Sequence, residues 1–295
     1  MKKSIKTILI MSLVAITLLF SLTGCNNTPY FKHLNTNWTE EKETAIYDYK
    51  FEKGETVKTG TLTTTIYKIA DGGSKLVGGK EFTDLKGASY FEYDLVCGED
   101  ITHGEVCFRG TKKQPFMPIA SSYYQKVGED IRSTYIEYQD KKCIVTNNGE
   151  KTELDTNGNA LIFDNVQMQA IARTLNFTKQ GTIQYQSPIY NNTVALKNVT
   201  IGATVPARVN TAKEEGKEPD FKFDFLTAED GTTGFDAVLV LARATDVPAG
   251  LPQTMLVANG NVVANGKTFA QPVLKITEGN EEKGLSTYTL TSLSK

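Results

Sequence analysis

The side chains that most often act as catalytic bases are scarce in this sequence. It has two histidines, His33 and His103, and His33 lies in a polar stretch ahead of the first predicted strand. A serine or cysteine nucleophile would therefore have to pass its proton to His103. The sequence has no Gly-x-Ser-x-Gly nucleophile elbow. Because His103 falls in a predicted hairpin loop, we interpret it as a solvated residue and predict a non-enzymatic protein.

The best match to a metal motif is a partial calcium loop. Asp155, Asn157 and Asn159 have the one-three-five spacing of calcium ligands. Ala160 replaces the required glycine, and Val166 stands where a bidentate glutamate is needed. We therefore predict neither a metal nor a cofactor. With 34 acidic against 32 basic residues, the chain also lacks the positive charge that nucleic-acid partners require.

Cys25 has the context that most strongly predicts a chemical modification. Three lysines (Lys2, Lys3 and Lys6) precede an apolar run over residues 7–20, and the segment Leu22–Cys25 follows. A charged start, a short apolar run and a small-residue site are typical of a secretory signal. A permanent membrane helix is the alternative, but it needs about 20 apolar residues, more than this run offers.

The segment Leu22-Thr23-Gly24-Cys25 resembles the bacterial lipobox. The resemblance implies transfer of diacylglycerol to the Cys25 thiol, followed by cleavage in front of it. Residues 1–24 would be the signal peptide, and residues 25–37 a lipidated N-terminus and tether. Two or three acyl chains anchor a protein stably. We therefore expect a lipoprotein on the extracytoplasmic face of a bacterial membrane in the cell envelope.

Three cysteines remain if Cys25 is lipidated. Cys97 ends one predicted strand and Cys107 lies in the next, so a bridge between these two is the candidate disulfide. Cys143 would then stay unpaired. The alternative is three reduced, buried cysteines that pack as small apolar side chains.

A period of two dominates the chain after residue 43. Apolar and polar residues alternate in Phe91–Leu95 and again in Phe221–Phe225, which indicates strands with one buried face. Asn-Gly and Asp-Gly pairs separate the runs and favour hairpin turns. We predict a mainly β fold, a curved antiparallel sheet or incomplete barrel, in one domain over residues 38–295. The charged segment 212–220 is the candidate site of any subdivision.

One helix is predicted over residues 164–176. Asp164 can cap it, and Gln167 three residues later can complete a capping box. The apolar residues Met168, Ile171, Ala172 and Leu175 then fall on one face. A single amphipathic helix among strands must pack that face on the sheet.

A ligand cavity between this helix and the sheet is the candidate binding site. Met and aromatic side chains adapt well to apolar ligands. The candidate lining residues are Phe91, Tyr93, Tyr135, Met168, Ile171 and Leu175. The alternative is that these side chains form ordinary sheet core.

The pair Phe163-Asp164, Gln167 and the run 170–177 together resemble a segment of an uncharacterised bacterial envelope family. The stretch from Trp38 to Tyr49 is loosely similar as well, and Thr174 stands where the family prefers alanine. The family is related in fold to the periplasmic lipoprotein carriers. The resemblance implies an incomplete antiparallel barrel with a helix covering its mouth.

Two functions are consistent with these features. The first is a membrane-anchored lipoprotein that binds a lipid or another amphiphile in a half-barrel. The second is a β-sandwich surface module that binds an envelope protein or a cell-wall glycan. A cavity beneath the helix would separate the two.

Overall fold

The computed structural model describes residues 38–110, 116–156, 161–178, 181–190, 194–212, 218–245, 253–280 and 282–295. The predictions for the signal peptide, for Cys25 and for the tether lie outside these ranges. Within them, no helix is long and apolar enough to cross a bilayer.

The described residues form nineteen strands and one short helical segment. That segment is a 3-10 turn at Asn165–Gln167 that runs directly into α1 at Met168–Ala172. The strands are β1 Glu43–Lys53, β2 Thr56–Lys68, β3 Lys75–Val77, β4 Lys80–Phe82, β5 Ala88–Cys97, β6 Asp100–Arg109, β7 Met117–Val127, β8 Asp130–Tyr138, β9 Lys142–Asn147, β10 Glu150–Asp155, β11 Thr182–Ile189, β12 Ala195–Val209, β13 Thr227–Ala228, β14 Phe235–Ala244, β15 Gln253–Ala258, β16 Asn261–Ala264, β17 Lys267–Ala270, β18 Val273–Asn280 and β19 Gly284–Ser294.

Fourteen of the strands form one antiparallel sheet. Their order is β10-β9-β8-β7-β6-β5-β2-β1-β19-β18-β15-β14-β12-β11. Most neighbours are consecutive in the chain, while β1 and β19 pair in the middle of the sheet. Smaller sheets of three and two strands, β13-β16-β17 and β3-β4, lie beside it. The sheet curves without closing, which confirms the predicted fold class.

Hairpin turns follow the predicted chemistry. Between β9 and β10, Asn148 and Gly149 adopt φ values of 48° and 88°. Two positive φ angles in succession are what a type I′ turn needs, and Asn-Gly supplies them at little cost. The predicted meander is therefore correct over most of the chain.

The main core lies between the concave face of the sheet and the helical segment. That segment contacts β5 and β6 on one side and β11 and β15 on the other. The sheet therefore wraps around the helix, and its core side chains come from both halves of the strand order. One smaller core fills the convex face beneath the β3-β4 hairpin.

The helical segment is shorter than predicted. The capping box at Asp164 and Gln167 forms as expected, but α1 ends at Ala172 rather than near residue 176. Thr174 Oγ1 donates to the Ile171 carbonyl at 2.7 Å and occupies an acceptor of the last turn. Ala170 is buried along with the predicted face, since the curved sheet encloses the segment.

The alternating segment Phe221–Phe225 is not a strand, contrary to the prediction. It forms a loop, and a bridge from Phe221 to Val209 joins this loop to the end of β12. Asn210 organises this loop at φ 59°, where its Nδ2 donates to the carbonyls of Phe223, Leu226 and Thr233. Phe223 is buried whereas Phe225 is exposed, so the alternating phenylalanines do not lie on one buried face.

The described residues do not form a β-sandwich, so that alternative is wrong for the architecture. The main core is built largely on one 14-stranded curved sheet, and the three-stranded sheet β13-β16-β17 adds Val262, Ala264 and Phe269 to it. Strands β12 and β14, on either side of the charged segment 212–220, are direct neighbours in this sheet. Residues 213–217 lie outside the described ranges.

Candidate functional site

A cleft of about 320 Å³ lies between the concave face and the start of the helical segment, partly open to solvent. Its walls come from both halves of the sheet and from the first turns of the helical segment. The lining residues are Tyr49, Leu62, Tyr93, Leu95, Thr102, Tyr123, Gln125, Asn165, Val166, Met168, Gln169, Tyr190, Gln253, Ile276, Glu278 and Tyr288.

The position of Tyr93 depends on a glycine across the strand pair. Tyr93 on β5 lies directly opposite Gly104 on β6. A Cβ atom at residue 104 would lie 2.5 Å from Cε1 of the Tyr93 ring. The ring can therefore lie flat over β6 only because residue 104 has no side chain.

Tyrosines form much of the cleft wall. Tyr123 stacks on Tyr190 with ring centroids 4.8 Å apart and an interplanar angle of 13°. Tyr49 and Tyr288 form a tilted pair at 5.0 Å. Burial raises the pKa of Tyr93 well above its usual value, and the charge of Glu278 adds to this rise. These hydroxyl groups therefore remain neutral at physiological pH.

Glu278 is the acidic group of the cleft. It lies directly opposite Gln253 on the neighbouring strand, and Gln253 Nε2 donates a hydrogen bond to Glu278 Oε1. Tyr288 lies with its hydroxyl 3.5 Å from Glu278 Oε2. Burial raises the pKa of the Glu278 carboxyl in spite of these partners. The Oε1 atom of Gln253 is buried and accepts no hydrogen bond within the described residues.

Asp164 supports the cleft from behind. Its carboxylate accepts hydrogen bonds from the Val166 amide at 2.7 Å and from the Tyr190 hydroxyl at 2.5 Å. The Tyr138 hydroxyl donates to it as well. Burial raises the pKa of Asp164, while these donors favour its charged form. Asp164 thereby fixes both the start of the helical segment and one of the cleft tyrosines.

Of the six residues predicted to line a cavity, the structure places Tyr93 and Met168 in the cleft. Phe91, Ile171 and Leu175 lie in the main core, where each is at most 4% exposed. Tyr135 lies on the convex face and belongs to the core under the β3-β4 hairpin. It is therefore on the wrong side of the sheet for the predicted role.

Sequence reasoning did not find Tyr49, Gln253, Glu278 or Tyr288. Tyr49 follows a visible alternation with Tyr47 in β1, so its inward direction could have been predicted. Gln253 and Glu278 lie 25 residues apart, and only the β15-β18 register brings them together. No local pattern distinguishes Glu278 from an ordinary surface glutamate.

The candidate disulfide is wrong, because the three described cysteines are free. Cys97 pairs with Asp100 across the β5-β6 hairpin, whereas Cys107 pairs with Tyr90. Asp100 and Cys107 are about seven residues apart on β6, or roughly 23 Å, far beyond the reach of a disulfide. Burial raises the pKa values of Cys107 and Cys143 to about 12, which makes both thiols poor nucleophiles.

His103 lies in strand β6 rather than in a hairpin loop, so that prediction is also wrong. It is on the convex face, opposite Asp94, with Nδ1 2.7 Å from the Asp94 carboxylate. Glu105 lies 4.0 Å from Nε2. Glu105 and Asp94 together raise the pKa of His103 to about 9. A histidine that stays protonated at neutral pH is a poor general base.

No protein-family model and no curated protein matches the sequence. Within the described ranges, no group of three or more His, Cys, Asp or Glu residues is placed to hold a metal ion.

Proposed function

We propose that this protein is a lipid-anchored, extracytoplasmic lipoprotein that binds a small amphiphilic ligand in the cleft and catalyses no reaction. The observation that carries the proposal is the cleft between the sheet and the helical segment. The lipobox-like segment Leu22–Cys25 supports the anchor and the location.

The composition of the cleft wall supports an amphiphilic ligand. Apolar side chains from four elements contribute to it, namely Leu62, Leu95, Val166, Met168 and Ile276. Tyrosine hydroxyls, amides and one carboxyl supply the remaining contacts. Binding sites commonly combine an apolar lining with a few polar groups that orient the ligand.

The size of the cleft limits what it can hold. Its volume of about 320 Å³ is at the lower end of the range of about 300–1,000 Å³ for ligand pockets. A volume of this kind suits one small molecule, or a head group with the first part of a chain. It does not suit two complete acyl chains.

The helical segment is held firmly enough to keep the cleft preformed. Gln167 Nε2 donates to the Phe116 carbonyl at 2.8 Å, and the Tyr185 hydroxyl donates to Met168 Sδ at 3.0 Å. Because both bonds are buried, the segment has little freedom to collapse into the cleft. A preformed site loses less entropy when it binds a ligand.

The proposal can be tested by native mass spectrometry and by calorimetry. The mature protein should carry a copurifying amphiphile, or should bind short alkyl detergents of octyl chain length below their micelle concentration. Thr102 lines the cleft, so Thr102→Trp should fill it and weaken binding at least tenfold. Thr61→Trp is the matched control, because Thr61 is exposed on the convex face of β2.

Two results would contradict the proposal. One is a wild-type protein that carries no ligand and binds none of the detergents. The other is a Thr102→Trp variant that folds and binds as tightly as Thr61→Trp.

A further inference from the structure

We propose that the cleft selects an organic cation, so that the ligand's head group is an amine or a quaternary ammonium group seated against Glu278. This inference rests on the proposed function and adds the chemical class of the ligand.

The charges that line the cleft favour a cation. Glu278 is the single acidic residue among the residues that line the described cleft, and they include no lysine, arginine or histidine. Its two partners, the Gln253 amide and the Tyr288 hydroxyl, are both neutral. A half-buried carboxylate without a cation beside it is less stable than one in water. A cationic ligand would provide the missing charge and favour the ionised form of Glu278.

The aromatic rings of the cleft also favour a cation. Five tyrosines line the cleft, and the charge of Glu278 helps to raise the pKa values of four of them, Tyr49, Tyr93, Tyr123 and Tyr288. The negative faces of aromatic rings attract organic cations, most strongly in desolvated sites. A carboxyl and several tyrosines in one small cleft therefore favour the same sign of ligand charge.

The hydrogen-bond acceptors of Gln253 and Glu278 favour a ligand that can donate. The Gln253 amide nitrogen already donates to Glu278, whereas the Oε1 atom of the same side chain is buried with no donor among the described residues. A buried acceptor without a donor is destabilising. A protonated amine could donate to it and to Glu278 together. An anionic head group would instead meet two acceptors and no lining cation.

Calorimetry with three detergents that share an octyl chain would test the inference. The probes are octyltrimethylammonium, octyl glucoside and octyl sulfate, each below its micelle concentration. We expect the ammonium probe to bind the mature wild-type protein at least tenfold more tightly than the glucoside, and the sulfate more weakly still.

Glu278→Gln should weaken binding of the ammonium probe at least tenfold and change binding of the glucoside less than twofold. Glu282→Gln is the matched control, because Glu282 is exposed in the β18-β19 turn of the same hairpin. Circular dichroism should give both variants the wild-type fold.

The outcomes separate the two proposals. If glucoside or sulfate binds as tightly as the ammonium probe, and Thr102→Trp still abolishes binding, the cleft is a ligand site and the cation inference is overturned. If Glu278→Gln folds and retains wild-type affinity for the ammonium probe, the inference is overturned as well. If no probe binds and no ligand copurifies, the proposed function fails together with it.

Discussion

Tyr138 and Tyr190 lie near opposite edges of the 14-stranded sheet, and both of their hydroxyl groups donate hydrogen bonds to the same oxygen of Asp164. Tyr138 ends β8, two strands from one edge, and Tyr190 directly follows β11 at the other edge. No ladder of backbone hydrogen bonds closes the sheet in the described residues. One buried carboxylate therefore joins its two ends and caps the helical segment between them.

Removing one of these hydroxyls should destabilise the fold. Tyr138→Phe should lower the free energy of unfolding by about 1.5–3 kcal/mol, the usual value for a hydrogen bond to a charged group. Tyr124→Phe, on the convex face of β7, should change it by less than about 0.5 kcal/mol. Urea denaturation at neutral pH would measure both, and equal effects would show that the Asp164 contact is unimportant.

The protonated state of His103 should make stability depend on pH. The pKa of His103 in the folded protein is about 9, against 6.5 for an unperturbed histidine. Since the folded state holds the proton more tightly, the stabilisation is complete below about pH 6.5 and is lost as the pH rises through 9. Denaturation curves at several pH values should reveal this loss in the wild type.

His103→Gln supplies the comparison for this pH effect. The variant should lack the decline attributed to His103 between pH 6.5 and 9 while keeping the β5-β6 pairing. If it loses stability over that interval as steeply as the wild type does, another group is responsible.

The ion pair between Arg173 and Glu43 should contribute far more than surface pairs do. Arg173 Nη2 lies 2.5 Å from Glu43, and the two side chains are 9% and 5% exposed. Arg173→Ala leaves Glu43 buried with Lys295, at 3.5 Å, as its one remaining ion-pair partner among the described residues, so it should cost about 3–5 kcal/mol. Lys142→Ala, which breaks the exposed pair with Glu153, should cost at most about 1 kcal/mol. Similar melting temperatures for the two variants would contradict this expectation.

Asn210 should be the residue on which the 221–233 loop depends. Asn210→Gly keeps the positive φ but removes the side chain that bonds Phe223, Leu226 and Thr233. At about 1 kcal/mol for each hydrogen bond, the loss should reach about 2–3 kcal/mol. Asn265→Gly, at φ 50° in an exposed turn, should be close to neutral. The Phe223 amide donates to Asn210 Oδ1 at 2.6 Å, so its hydrogen exchange should rise in Asn210→Gly and not in Asn265→Gly.

The fold could be predicted from the sequence further than the site could. Alternation, Asn-Gly turns and the Asp164 capping box are local signals, and each is fixed by residues a few positions apart. The face of the sheet that becomes concave is not a local property. Tyr93 and Tyr135 have similar surroundings in the sequence, yet Tyr93 faces the cleft and Tyr135 the convex side.

The wrong predictions of a disulfide and of a strand also concern contacts that local sequence does not determine. Cys97 and Cys107 are ten positions apart in one hairpin, but a two-residue turn places them at different levels of the ladder. The Phe221–Phe225 alternation has the period of a strand, but the hydrogen bonds of Asn210 hold it as a loop. Glu278 becomes a site residue only through its register with Gln253, which the sequence does not state.

The pairing of β1 with β19 has a consequence for how the molecule assembles. Strands β2–β10 and β11–β18 are largely successive hairpins, so each half can form as soon as it is made. The seam between β1 and β19 instead joins residues that are as far apart in the chain as Thr44 and Ser294. Loop closure over such a distance is slow. During folding, the two halves must therefore wait for the last strand before the concave surface is complete.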